Sequence, residues 1–148
     1  MKMIAEYKGY RIYHMKAEDD PKAFYAEMGP IFASRDIRME LDGYPVENEP
    51  GRKWIVAYWG DEVVGFRSYD VNEKGEGIYY DAWVREDCRK NGLYRFMLDL
   101  AESELRRSFE VVKIKAIGNP ISAPILEKKG FRTVKMRGKF HVMEKVLK

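Results

Sequence analysis

Hydrophobic spacing changes period several times along the chain, and each change marks an element. Tyr10, Ile12 and His14 alternate with Arg11 and Tyr13, the period-two pattern of a strand. Glu18-Asp19-Asp20-Pro21 then reads as a helix start, with acidic residues ahead of an early proline. Phe24, Tyr25, Met28, Ile31 and Phe32 follow at helical spacing, and Gly29-Pro30 is expected to break or kink that run. A second short helix is expected from Ser34 to Leu41. The stretch 42–52, with two prolines and two glycines, reads as a loop.

Three strands come next. Trp54–Trp59 and Val63–Val71 flank a Gly60-Asp61 turn, and Ile78–Val84 follows a second turn containing Lys74-Gly75. Consecutive strands of this kind form an antiparallel meander. Leu93, Phe96, Met97, Leu100, Ala101 and Leu105 then recur at i, i+3, i+4, i+7, i+8 and i+12. Arg95, Asp99, Glu102 and Arg106 lie elsewhere on the wheel, so this is an amphipathic helix of about four turns. Val111–Ile117 alternates again. Strand, helix, strand in that order predicts a right-handed crossover to a parallel neighbour. A short helix from Ser122 to Lys129 is expected next, with Ser122 as its cap and Gly130 as its stop. Phe131–Met136 and Phe140–Leu147 close the chain as a hairpin.

Composition sharpens this only in places. The 148 residues suit one domain, 1–148, and the hydrophobic (45%) and charged (34%) fractions are those of a globular protein. No apolar run approaches the ~20 residues that span a bilayer. Met1–Tyr10 has no apolar signal core, so a cytoplasmic, non-membrane protein is expected. One cysteine excludes an internal disulfide framework, and with two distant histidines it excludes a Cys/His zinc site; no metal is expected. The net charge of +3 is unevenly placed. From Arg106 to Lys148 there are twelve Lys/Arg against three Asp/Glu, and the remainder carries fifteen against twenty-one. A basic C-terminal third suits solvent-facing strand lysines, or a polyanion such as nucleic acid or a phosphorylated cofactor.

The chemistry gathers between the third meander strand and the long helix, at Val84-Arg-Glu-Asp-Cys-Arg-Lys-Asn-Gly-Leu93. The first N–H groups of a helix lack intrahelical partners and sit at the positive end of its macrodipole, which makes an anion site. Gly92 permits close approach of a ligand to the backbone, and Arg89 and Lys90 add positive charge. A diphosphate is a natural guest.

These residues resemble a motif of the GNAT acyltransferase superfamily, V-x-P-x-x-R-G-x-G-x-G/A. Here it reads Val84, Glu86 where proline is usual, Arg89, Lys90 for the first glycine, Gly92, and Tyr94 for the last small residue. A second landmark is similar: Asn119 after a strand, then a short helix ending at Lys129-Gly130-Phe131. The resemblance extends over 54–148, and before that only the strand–helix–helix order agrees. It implies an α/β (α+β) fold with a mixed, mostly antiparallel sheet of six to seven strands flanked by helices. It also implies acetyl-CoA, or another acyl-CoA, as cosubstrate. Lys90, Asn91, Gly92, Leu93 and Tyr94 would cradle the pyrophosphate, with Arg89 beside them. Ala82, Trp83 and Val84 would offer backbone to pantetheine, and an N–H near Trp83 would polarise the thioester carbonyl. Asn119 would contact the pantetheine or brace the strands.

Two positions depart from that pattern. Tyr94 is bulky where a small residue is usual, either narrowing the loop or pointing away from it. Leu126 stands where many members place the tyrosine that protonates the departing thiolate. An amine acceptor has a pKa near ~10.4 and must lose a proton, so a base is needed. Asp81 is the favoured candidate, with Tyr80 and Glu76 also on the sheet. Tyr80 and Asp81 fall on opposite faces of one strand unless a bulge intervenes. Ser122 is the nearest hydroxyl to the Leu126 segment, though a capping role also explains it. Cys88, His14 and His141 read as structural. The expected activity is direct acyl transfer to a small-molecule or protein amine, by a monomer or homodimer. Two other readings stay open: a non-catalytic acyl-CoA-binding module, and a nucleic-acid-directed acyltransferase or binding domain.

Overall fold

The computed structural model describes residues 1–147. The elements are β1 (Lys2–Tyr7), β2 (Tyr10–Met15), α1 (Pro21–Phe32), α2 (Arg35–Glu40), β3 (Lys53–Trp59), β4 (Glu62–Val71), β5 (Gly77–Val84), a 3-10 turn (Glu86–Cys88), α3 (Leu93–Phe109), β6 (Lys113–Gly118), α4 (Ser122–Lys128), β7 (Arg132–Arg137) and β8 (Phe140–Val146). They form one eight-stranded sheet in the order β1-β2-β3-β4-β5-β6-β8-β7. β5 and β6 run parallel, with Gly77 opposite Ile114 and Ile78 opposite Lys115, as the crossover predicts. The remaining ladders include antiparallel β1/β2, β2/β3, β6/β8 and β7/β8.

The sheet has one strand more than the upper expectation, because β1 carries no readable signal. It is an edge strand whose Met3 and Ile4 stay exposed, so hydrophobic alternation is not selected there. Lys8 and Gly9, both with positive φ (49° and 87°), make the two-residue turn into β2. A second difference concerns Pro30. α1 continues through it instead of breaking. Pro30 sits in the last turn, where its missing N–H removes one bond. The Ala33 N–H still reaches the Gly29 carbonyl at 3.0 Å, and Ile31 and Phe32 hold the turn against the core.

The chain divides into two compact units. The first comprises Met1–Ser68 and Asp81–Leu98. Its core joins Phe24, Met28 and Ile31 of α1, Ile37 of α2, Trp54 and Val56 of β3, Phe66 of β4 and Trp83 of β5. The aromatic rings are contiguous: Phe32–Trp54 at 5.4 Å, Trp54–Phe66 at 5.7 Å and Phe66–Trp83 at 5.9 Å between centroids. Trp54 is fully buried, and its indole N–H donates to Asn48 Oδ1 at 2.8 Å, which satisfies its one polar group. Asp20 caps α1 through Ala23 N–H, and Ser34 caps α2 through Ile37 N–H.

The second unit comprises Tyr69–Tyr80 and the chain from Asp99 onward. Ala101, Leu105, Ile114, Ala116, Leu126, Phe131 and Met143 are buried there. A Cβ on Gly77 would lie 2.8 Å from Leu105 Cδ1, so a larger residue there would have to displace the Leu105 side chain. Of the twelve Lys/Arg in the C-terminal third, six pair with carboxylates among the described residues. Lys113 pairs with Glu144, Lys115 with Glu76, Lys129 with Asp99, Lys145 with Glu102, Arg106 with Glu102 and Arg107 with Glu104. Most of these pairs are partly exposed and each stabilises by about 0–1 kcal/mol. Among the described residues no helix is long and apolar enough to cross a membrane.

The aromatic core makes a direct prediction. Trp54→Ala should destabilise the fold by about 3–5 kcal/mol in urea denaturation, as expected for emptying a buried aromatic site.

Candidate active site

The loop between β5 and α3 is built entirely within the first unit. Arg85 N–H donates to the Val64 carbonyl at 2.7 Å. The Arg85 guanidinium then pairs with both Glu62 and Asp87 at 2.6 Å and holds the Asp87 carboxyl below its ordinary range. The 3-10 turn buries Cys88. Lys90 and Gly92 follow with φ of 64° and 90°. These are the first two of the three small-residue positions in the motif quoted above. Gly92 adopts this conformation freely, whereas Lys90 does so at a cost of about 1–2 kcal/mol.

Asn91, between them, holds the strained backbone in place. Its carbonyl accepts from Tyr7 Oη and from Lys8 Nζ, each at 2.8 Å. Its Nδ2 donates to Tyr10 Oη at 2.8 Å, and its Oδ1 accepts the Leu93 N–H at 3.2 Å. The Tyr7 ring stacks on Phe96 of α3 with centroids 4.4 Å apart. The β1–β2 hairpin, more than eighty residues away in sequence, is thus the clamp on this loop. Sequence reasoning missed Tyr7, Lys8 and Tyr10; the only available signal was two tyrosines flanking Lys8-Gly9.

The first helical bond of α3 runs from Phe96 N–H to the Gly92 carbonyl at 2.9 Å. The N–H groups of Tyr94 and Arg95 therefore precede the helical ladder. Left-handed residues on either side of Asn91 curve the backbone into a nest of the kind that receives phosphate oxygens, with Lys90 exposed at its rim. Arg89, expected beside the pyrophosphate, has two internal partners. Its Nε donates to the Val84 carbonyl at 2.7 Å, and Nη2 pairs with Glu40 at the end of α2. Its charge therefore ties the loop to α2.

Tyr94 does not narrow the loop. Its hydroxyl accepts from Arg67 Nη2 at 2.8 Å, and the guanidinium lies 5.2 Å from the ring centroid. Arg67 is only 3% exposed, so the bulky ring at the family's small-residue position covers a buried cation of β4.

On β5, Trp83 is buried and its indole N–H donates to Glu40 Oε2 at 2.9 Å. Val84 and Met97 of α3 both border Gly65. The Ser68 hydroxyl accepts the Asp81 N–H at 3.1 Å and donates to the Asp81 carbonyl at 3.4 Å. Asp81 is half-buried, and burial pushes its pKa up. Arg52 pulls it down, Glu47 pushes it up and Arg67 pulls it down, with a net rise. Tyr80 is 44% exposed.

In the second unit, Asn119 makes the cap expected of Ser122. Asn119 Oδ1 accepts from the N–H groups of Ile121 (2.9 Å) and Ser122 (2.8 Å), and its carbonyl accepts from Ala123 at 2.8 Å. The Ser122 hydroxyl oxygen instead accepts the Asn119 N–H at 2.9 Å. An asparagine three residues before the helix can form the Asx turn that Ser122, already inside it, cannot. Leu126 is 2% exposed and sits in the core. Among the described residues no group of three His, Cys, Asp or Glu side chains is arranged to hold a metal.

Comparison with known proteins adds to this geometry. The sequence profile of the acetyltransferase (GNAT) family matches residues 9–131. No curated protein matches by sequence. Solved structures share the fold. The PaiA N-acetyltransferase from Thermoplasma acidophilum, in complex with coenzyme A, superposes with a TM-score of 0.64 at 12% identity, covering 93% of this chain and 98% of its own. The ribosomal-protein-S18-alanine N-acetyltransferase from Escherichia coli gives 0.65 at 16% identity, covering 93% and 94%. Nourseothricin acetyltransferase gives 0.63 at 17% identity, covering 95% and 100%.

The loop geometry predicts a specific suppressor. A Cβ at Gly92 would collide with the Tyr7 hydroxyl, and φ is already left-handed. Gly92→Ala should cost about 1–2 kcal/mol from the backbone alone, plus displacement of Tyr7. Adding Tyr7→Phe should recover part of that loss in thermal melts; equal melting of the single and double variants would show that Tyr7 does not press on this site.

Proposed function

The chain belongs to the GNAT acetyltransferase family, and we propose that it transfers an acyl group, acetyl, from acetyl-CoA directly to a small-molecule or protein amine. The observation that carries this reading is the left-handed Lys90–Gly92 backbone opening α3. Lys90 to Tyr94 would hold the pyrophosphate through backbone N–H groups, with the Lys90 ammonium at the rim. Ala82 to Val84 would offer β5 backbone to the pantetheine arm. Acetyl-CoA, when bound, supplies an activated thioester, so no enzyme nucleophile is required, and buried Cys88 needs no role.

Asp81 is the proposed base. An acceptor ammonium must lose a proton to attack, and a carboxylate with a raised pKa is better matched to that task than an ordinary one. Leu126 is apolar and buried, so the leaving thiolate takes its proton from water or from exposed Tyr80. The Asn119 and Ser122 side-chain oxygens serve the α4 turn in this reading. The charge distribution favours a cationic acceptor over a polyanion. Residues 21–52, the first helices and loop from which acceptor pockets in such folds mainly come, hold six Asp/Glu against four Lys/Arg. Six of the twelve C-terminal cations, by contrast, are engaged with carboxylates. The buried Leu126 also supports a second reading, an acyl-CoA-binding module without turnover.

Acetyl-CoA at a hundredfold its Kd should stabilise the protein by about 2.7 kcal/mol, read as a rise in melting temperature. No shift at millimolar concentration would remove both CoA readings. A thiol-release assay over an amine panel then separates enzyme from binding module.

Asp81→Asn should lower kcat by about 10²–10⁴-fold if Asp81 is the base. It should also abolish the acid limb of the pH profile, which in the native enzyme lies above the ordinary carboxylate range. Stability moves the other way. Folding raises this pKa, so Asp81 favours the folded state at pH values below its unfolded pKa. That contribution is lost as pH rises through the folded value, and the ionised form is a cost at neutral pH. Asp81→Asn should therefore melt higher than the native protein at pH 7, with the gap closing on acidification. An unchanged profile with full activity would exclude Asp81.

A further inference from the structure

Glu40 belongs to no motif, yet it joins two parts of the proposed site. One carboxylate oxygen, Oε2, accepts from Trp83 Nε1 at 2.9 Å and from Arg89 Nη2. Arg89 Nε reaches the Val84 carbonyl at 2.7 Å. A single oxygen therefore links the end of α2 to a buried β5 side chain and to the basic residue that opens the phosphate loop. Both charged side chains are partly exposed, 40% for Glu40 and 42% for Arg89, so the pair can open and close.

Local preference argues against a glutamate at that position. Glu40 is the last residue of α2, where the negative end of the helix dipole disfavours a carboxylate. α2 has only six residues, too few to be stable alone, so tertiary contacts set its position. Among its contacts to the rest of the first unit are Ile37, buried in the aromatic core, and Glu40. A residue that runs against local preference and is satisfied by β5 and the loop points to those partners as its reason.

We infer that Glu40 is a positioning residue that couples α2, in the region expected to receive the acceptor, to the loop proposed to hold the pyrophosphate. The inference rests on the acetyl-CoA reading above. Ordering Lys90–Tyr94 around a diphosphate fixes Arg89, Arg89 fixes Glu40, and Glu40 fixes the end of α2. By reciprocity, an acceptor that orders α2 tightens the cofactor loop by the same factor.

Amide hydrogen exchange with and without saturating acetyl-CoA tests this in the native protein, Glu40→Gln and Glu40→Ala. In the native protein acetyl-CoA should slow exchange in both 89–93 and 35–41. Glu40→Ala should keep the loop protection, lose that of α2, and bind acetyl-CoA about fivefold more weakly, the low end of site–site couplings. Glu40→Gln retains an oxygen for Trp83 but not the charge facing Arg89, and should fall between. A merely structural Glu40 would lower the melting temperature of every form equally and leave the ligand-induced change in α2 intact. Protection of α2 that survives Glu40→Ala, or its absence in the saturated native protein, overturns the coupling while the cofactor reading stands. No loop protection at millimolar acetyl-CoA overturns the cofactor reading, and the coupling falls with it.

Discussion

A left-handed backbone at Lys90 and Gly92 is the constraint on which the site depends. Without those two positive φ values the chain leaving β5 would not curl into a nest before α3, and the helix start would present no concave set of N–H groups. Glycine satisfies one position without strain. At the other, lysine is held there by its neighbour: Asn91 is gripped by Tyr7, Lys8 and Tyr10, and caps α3 through Leu93 N–H. Strain of this kind persists only where the surroundings over-determine it. Here the surroundings are a β-hairpin from the other end of the first unit.

Charge placement follows a consistent pattern. Arginines that appear in sequence to offer free positive charge are mostly committed to internal partners. Arg85 bridges Glu62 and Asp87, Arg89 joins Glu40 and the Val84 carbonyl, and buried Arg67 meets Tyr94. In the second unit, lysines on β6 and β8 face carboxylates of β8, α3 and the turn before β5. Lys90 remains exposed at the rim of the nest. A basic count along the chain therefore overstates the field available to a polyanion.

The departures from the family pattern acquire different meanings in three dimensions. Tyr94 is compensated, because its ring and hydroxyl cover the Arg67 guanidinium. Leu126 is simply part of a core, with its carbonyl accepting the Lys129 and Phe131 N–H groups that end α4. Asp81 is half-buried on β5, and burial raises its pKa while Arg52 and Arg67 moderate the rise.

The sequence by itself determined the order and type of nearly every element, because period-two and period-3.6 burial are local properties of a chain. It also marked the loop between β5 and α3 as the candidate site, since its glycine, basic residues and strand–helix context are contiguous. It could not reveal β1, since an exposed edge strand buries too little to impose a pattern. Nor could it foresee that Pro30 stays helical, which depends on Ile31 and Phe32 packing against the core, or that Asn119 caps α4 in place of Ser122. Tertiary structure alone decided what holds the loop and where its arginine points. Tyr7 and Asn91 are 84 positions apart, and Glu40 and Arg89 are 49 apart. Contacts across such separations depend on how strands and helices pack, and no spacing along the chain encodes them.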